Sequence, residues 1–233
     1  MEQRESFPVA PVKLNPRRKW GIYESSFMNY LDTFTQIDTD GKVVSMLEHL
    51  RDNHVQDPVI IDLMASKSAL KDIQQHYNIS PKGLLAVSDK PSLWSPISSI
   101  RGDLNEDKTW NKIDKWLGKR KAKIIMERGY QGLDYVPTTL DYQRKTLSRM
   151  WDMLDSDGGL LVLQTPAKEV LTQRGIPIKD WLTQLTDHNV YARFEDMTGS
   201  EDNPDHRYGV LLLEKNPQVD KLPDISNFNL QQL

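Results

Sequence analysis

Pro58-Val-Ile-Ile-Asp-Leu-Met-Ala-Ser-Lys-Ser68 is the stretch on which the fold turns. Its apolar residues are nearly continuous, with too little polar alternation for a strand that has one wet face. It therefore predicts a strand buried on both sides of a sheet, running through Asp62 and Leu63. Ser66 follows as a helix cap, and the helix it opens extends to about Tyr77.

The same alternation continues outward from this stretch. Gly83-Leu-Leu-Ala-Val87 reads as a second strand ending at Ser88-Asp89, and Ser98 to Leu104 as a third containing Gly102-Asp103. Trp110, Ile113 and Leu117 mark one face of a helix. Ala122-Lys-Ile-Ile-Met126 is a fourth strand. A long helix is expected from Thr138 to Leu154, with Leu140, Leu147, Met150, Trp151 and Leu154 along one side. The turn Asp155-Ser-Asp-Gly-Gly159 leads to a fifth strand, Leu160-Leu-Val-Leu163. Residues 168–187 read as helix in two pieces, divided near Gly175 and Pro177. Val190 to Glu195 and Tyr208 to Glu214 are two more strands.

Toward the amino terminus, residues 24–37 and 42–52 are read as two helices. In the second, Val43, Val44, Leu47 and Leu50 follow helical spacing. Residues 1–22, with three prolines and the cluster Arg17-Arg18-Lys19, are expected to form an extended arm. Residues 217–233 are expected to form a tail in which Pro217 and Pro223 discourage regular structure. One α/β domain, residues 23–216, lies between them.

Strands alternating with helices imply right-handed crossovers and a parallel sheet covered on both faces. The last two strands have no helix between them, so one must run against the rest. Ligands of such sheets bind beyond the carboxyl ends of the strands, where the strand order reverses.

Composition narrows the chemistry. The net charge is -3, from 30 Lys+Arg and 33 Asp+Glu, which gives no general attraction to nucleic acid or an anionic membrane. The local exception is Lys115 to Lys123 (KWLGKRKAK), either a basic patch or a solvated helix end. No cysteine is present, which excludes disulfides, thiolate metal sites and thiol nucleophiles. No apolar run approaches the roughly 20 residues of a membrane span, and the first residues lack a signal-peptide core. These features point to a cytoplasmic protein. His49, His54, His76, His188 and His206 have no metal-ligand spacing, so no metal is expected. Walker, G-x-G-x-x-G and G-x-S-x-G motifs are absent. Trp20 and Trp94 fall in irregular segments, where a ligand or partner surface competes with plain packing.

Five parallel strands with a final hairpin resemble the class I S-adenosylmethionine (SAM)-dependent methyltransferase fold. This is a three-layer, Rossmann-like α/β architecture with a mostly parallel seven-stranded sheet and an antiparallel C-terminal hairpin. The resemblance spans roughly residues 40–216. Ile60-Ile-Asp-Leu63 is similar to the family's first strand with its acidic end. Ala86-Val-Ser-Asp89 is similar to the second, whose acidic residue grips the cofactor ribose. Gly102-Asp-Leu104 is similar to the third loop, where an aspartate meets the adenine amino group. Leu154-Asp-Ser-Asp-Gly-Gly-Leu-Leu-Val-Leu163 is similar to the helix-turn-strand signature L-x-P-G-G-x-L-V, with Asp157 in place of proline.

The resemblance implies SAM as cofactor, with Asp62, Met64, Ser66, Asp89, Asp103 and Leu104 around it. One carboxylate can accept both hydroxyls of a ribose, which suits Asp89 to that role. An aspartate after a strand can equally serve its own turn. The family places glycines where this chain has Met64, Ser66 and Ser68. Side chains there would crowd a methionine moiety, and any positive φ would be penalised. Lys67 with the helix N-terminus offers a third use of the loop, attraction of an anion.

The fourth strand runs into Met126-Glu-Arg-Gly-Tyr-Gln-Gly132, without N-P-P-Y or D-P-P-Y. A Lys-Asp-Lys-Glu set is also missing, since Glu127 ends strand four and Gln164 ends strand five. Glu127, Arg128 and Tyr130 are the catalytic candidates, Glu127 as general base and Arg128 as a holder of acidic substrate. Glu127 and Arg128 as a solvated ion pair is the alternative. Two functions remain open: a methyltransferase acting on a small molecule or protein, and a methyltransferase-like domain that serves as a binding or scaffolding module.

Overall fold

The computed structural model describes residues 36–39, 42–52, 57–63, 69–88, 96–127, 146–173, 178–197 and 208–223. The first strands, β1 (Gln36–Thr39) and β2 (Lys42–Ser45), pair antiparallel as a small separate sheet. They lead into helix α1 (Met46–Asp52). Here the structure corrects the helical reading of 42–52: residues 42–45 are strand, and so are Gln36 and Ile37. The helix starts at Met46 because Ser45 and Glu48 form a capping box. The Glu48 N–H donates to Ser45 Oγ at 3.1 Å, and the Ser45 N–H donates to Glu48 Oε2 at 3.0 Å. Residues 1–35 and 138–145, where an arm, part of the first helix and the start of the long helix were expected, lie outside the described residues.

The remaining elements alternate as expected: β3 (Val59–Leu63), α2 (Ala69–Tyr77), β4 (Leu84–Ser88), β5 (Ser98–Arg101), α3 (Asp107–Leu117), β6 (Ala122–Glu127), α4 (Ser148–Met153), β7 (Gly159–Pro166), α5 (Lys168–Gln173), α6 (Ile178–Asp187), β8 (Tyr191–Met197) and β9 (Tyr208–Lys215). The sheet order is β5-β4-β3-β6-β7-β9-β8. Neighbours from β5 through β7 are parallel, and β9 runs antiparallel to both β7 and β8. The strand read first in the sequence, β3, is thus near the centre, with every residue buried.

Each face of the sheet carries its own apolar layer. Ile60, Leu84, Ile124, Met126, Leu160 and Val162 face α1 and α2, meeting Met46, Leu47, Leu50, Leu70, Ile73 and Tyr77. Ile61, Leu63, Leu85, Val87, Ile125, Leu161 and Leu163 face the other way. They meet Trp110 and Ile113 of α3, Met150 and Trp151 of α4, and Ile178 and Trp181 of α6. Residues 216–223 have no regular structure, yet Val219 and Leu222 join this second layer.

The turn before β7 explains an oddity of the sequence. Asp157 stands where the resembling signature has proline, and its N–H donates to Asp155 Oδ1 at 2.9 Å, a bond proline could not make. Burial alone would raise the Asp155 pKa, but this N–H and the Lys123 ammonium at 3.0 Å hold it below the usual value. Gly158 has φ 76°, and a Cβ on Gly159 would come within 2.6 Å of the Asp155 carbonyl, so both positions require glycine.

On β9, Glu214 sits half-buried opposite Tyr191, and burial pushes its carboxyl up from the ordinary 4.5. As pH rises through 4.5, the unfolded chain loses this proton before the folded one does. Stability therefore falls with rising pH from 4.5 up to the raised pKa. Glu214→Gln is expected to stabilise the protein at pH 7, and the gain should vanish in denaturant titrations below the ordinary value.

Candidate functional site

The carboxyl ends of the parallel strands meet at a reversal of strand order. From β3 the chain crosses through α2 to β4 on one side, while from β6 it proceeds to β7 on the other. Sheets of this kind bind ligands at such a reversal, which here falls between the ends of β3 and β6.

Two buried carboxyls border it. Asp62, next to last in β3, has no exposed surface and pairs in register with Ala86 and Met126. It shares the face covered by α1 and α2. Glu127, the last residue of β6, is 1% exposed and stands level with Leu63 and Leu163 on the opposite face. That burial takes Glu127 out of solvent, while Arg128, its partner in the ion-pair reading, lies outside the described residues. Burying a carboxyl is costly without polar compensation, and strand ends beside a ligand crevice are a recurring place for such groups. Gln164 lies just beyond the parallel pairing of β6 and β7. It does not end its strand, because β7 continues along β9 to Pro166.

Next to β3, the ends of β4 and β5 are tied together: the Gly102 N–H donates to the Ser88 carbonyl at 3.3 Å. A side chain at position 102 would strike Thr109, whose own side chain is buried in α3. Asp103 is exposed, and its Oδ1 accepts from both the backbone N–H of Asn105 (2.8 Å) and its Nδ2 (2.9 Å). One oxygen of this carboxylate thus serves its own turn, as sequence reasoning allowed. The Leu104 side chain joins the core, and its carbonyl accepts from Trp110 Nε1 at 2.7 Å. Sequence reading missed the roles of Thr109 and Trp110 in fixing this loop. It also missed Thr165, 2% exposed near the end of β7. The tryptophan was legible only as part of a helix face, and nothing local distinguishes a buried threonine. Met64, Ser66, Lys67, Ser68, Asp89, Arg128 and Tyr130 lie outside the described residues, as does Trp94.

In the basic stretch 115–123, Arg120 caps the end of α3, and Lys123, on β6, reaches the turn before β7. Arg120 donates to the carbonyls of Trp116 (2.8 Å), Lys82 (3.0 Å) and Leu117 (3.3 Å) and lies over the Trp116 ring at 4.3 Å. Lys123 donates to the Asp157 carbonyl at 2.8 Å. Cations at helix C-termini complement the dipole there. Among the described residues, no group of three or more His, Asp or Glu could hold a metal, and no helix is long and apolar enough to cross a membrane.

No family model matches the chain, and no curated protein matches it. Solved structures do. An rRNA methylase from Streptococcus thermophilus aligns at 11% identity and TM-score 0.43, covering 74% of this chain and 95% of that one. The N-methyltransferase NodS from Bradyrhizobium japonicum WM9, in complex with S-adenosyl-L-homocysteine, aligns at 15% identity and TM-score 0.42, over 72% and 83%. TYW2 from P. horikoshii, in complex with MeSAdo, aligns at 16% identity and TM-score 0.39, over 80% and 72%. These are likenesses of fold at low overlap. The chain has the architecture that its sequence suggested, a three-layer, Rossmann-like α/β fold with a mostly parallel seven-stranded sheet and β9 reversed.

Proposed function

We propose that this chain is a SAM-binding methyltransferase domain whose cofactor lies across the carboxyl ends of β3, β4 and β5. One observation carries the reading. The strand order sets a fully buried carboxyl, Asp62, at the reversal point, beside two strand ends joined by the Gly102–Ser88 hydrogen bond. The acidic residues that follow those ends, Asp89 and Asp103, suit the adenosine half of the ligand. Asp89 accepts the ribose hydroxyls, and Asp103, with Oδ1 held by Asn105, offers its other oxygen to the adenine amino group. Asp62 meets the cofactor at the end of β3, and Leu104 backs the adenine side.

SAM supplies a methyl group already activated on a sulfonium. The protein's task is then to hold a nucleophile in line with it and to take a proton where one is released. Glu127, at the end of β6, is the base in this reading, with Arg128 and Tyr130 facing a small-molecule or protein substrate.

A second reading, a binding or scaffolding module without SAM chemistry, is favoured by Met64, Ser66 and Ser68 in place of glycines. Calorimetric titration of the purified chain with SAM and S-adenosylhomocysteine separates the two. Binding of both ligands is expected, and Met64→Gly/Ser66→Gly should bind SAM more tightly. That variant should lose roughly 0.5–1 kcal/mol of stability per glycine from added chain entropy. Undetectable wild-type affinity, with no gain in the glycine variant, supports the module instead. A wild type that binds SAM and a variant that binds no better would mean that Met64 packs against the cofactor.

A further inference from the structure

We propose that β8 is a self-recognition edge through which two copies of this chain pair antiparallel and extend the sheet across a two-fold axis. The two edges of the sheet are built differently. β5, at one edge, has only four residues, and short edge strands discourage pairing. β8, at the other, has seven residues in unbroken register with β9, without bulge, proline or glycine. No described strand pairs with its outer side.

Its sequence, Tyr191-Ala-Arg-Phe-Glu-Asp-Met197, is complementary to itself about Phe194. In an antiparallel pair centred there, residues whose numbers sum to 388 stand opposite one another. Arg193 then faces Glu195 of the second copy, and Glu195 faces that copy's Arg193, giving two opposite-charge cross-strand pairs. Phe194 faces its own counterpart, an aromatic pair on the sheet face where it already packs against the core. The charges are poised for this role. Arg193 and Glu195 lie on one face at 3.5 Å, with side chains 13% and 35% exposed, so pairing costs little further ordering of either. A contact made by one patch with itself closes at two copies and does not grow into a filament. The proposal does not depend on what binds at the carboxyl ends of the strands.

Sedimentation velocity on the full chain across a concentration series tests it. A reversible dimer is expected, weakening as salt rises. Arg193→Glu sets Glu against Glu195 of the other copy, and Glu195→Arg sets Arg against Arg193. Each should raise the dissociation constant at least about tenfold, since two attractive pairs become repulsive. The double exchange R193E/E195R restores both complementary pairs and should recover the wild-type constant. Circular dichroism and thermal unfolding establish that each variant is folded. Should the single variants not fold, the salt dependence of the wild type and the recovered dimer of the double exchange decide the matter. A wild-type chain that stays monomeric at every concentration overturns the proposal. So does a dimer indifferent to salt and to the exchanges.

Discussion

Trp151→Ala is expected to lower the unfolding free energy by about 3–5 kcal/mol, the usual cost of removing a large aromatic from a core. The indole has no exposed surface and packs between α4 and the sheet layer formed by Ile125, Leu161 and Leu163. It also shelters Lys215, only 5% exposed, whose Nζ lies 5.5 Å from the ring and donates to the Trp151 carbonyl at 2.8 Å. Desolvation holds the Lys215 pKa below its ordinary value. The cavity left by alanine would admit water to that ammonium and soften the loss, which favours the lower end of the range. Trp151→Phe should cost much less, about 1 kcal/mol. It removes an indole N–H that has no acceptor among the described residues. Urea titrations of the two variants measure both effects. A small loss for alanine would mean that α4 is not firmly packed on the sheet.

Asp89→Ala should weaken SAM binding by about 1.5–3 kcal/mol, roughly 10–150-fold in dissociation constant, the range for hydrogen bonds to a charged group. The unliganded protein should unfold at nearly the same temperature, because the described pairing of β4 ends at Ser88, before this residue. Calorimetry and thermal unfolding on one preparation give both numbers. Asp103 is a poorer probe. Its Oδ1 holds the turn through Asn105, so Asp103→Ala would disturb the loop together with any ligand contact. An unchanged SAM affinity in Asp89→Ala would remove this residue from the site.

The central strands were legible because burial on both faces leaves a continuous apolar run, as in Val59-Ile-Ile and Leu84-Leu. The amino-terminal hairpin was not, because Val43, Val44, Leu47 and Leu50 satisfy helical spacing and so mask a strand that turns into a helix. Two signals marked the division: Asp40-Gly41, a common hairpin turn, and Ser45-x-x-Glu48, the capping box seen in the structure. The site was legible to the extent that strand ends can be counted. Which face each carboxyl takes was not. Val59 pairs with Ala122 but Ile60 with Ile124, so Lys123 is passed over. That slip brings Glu127 level with Leu63, and it arises between strands more than fifty residues apart, where no local pattern can reveal it.

Because β9 lies between β7 and β8, the last strand of the sheet to be synthesised is an interior one. During translation, β8 emerges with no partner to receive it, and the outer side of β7, carrying Leu160-Leu-Val-Leu163, stays open beside it. Both wait for Tyr208–Lys215, a delay on the order of seconds at ordinary elongation rates. A ribosome that stalls within the polar stretch between the two strands leaves a nascent chain with two unsatisfied edges, the kind of intermediate on which chaperones act. In this topology, quality control during synthesis bears chiefly on the segment that connects β8 to β9.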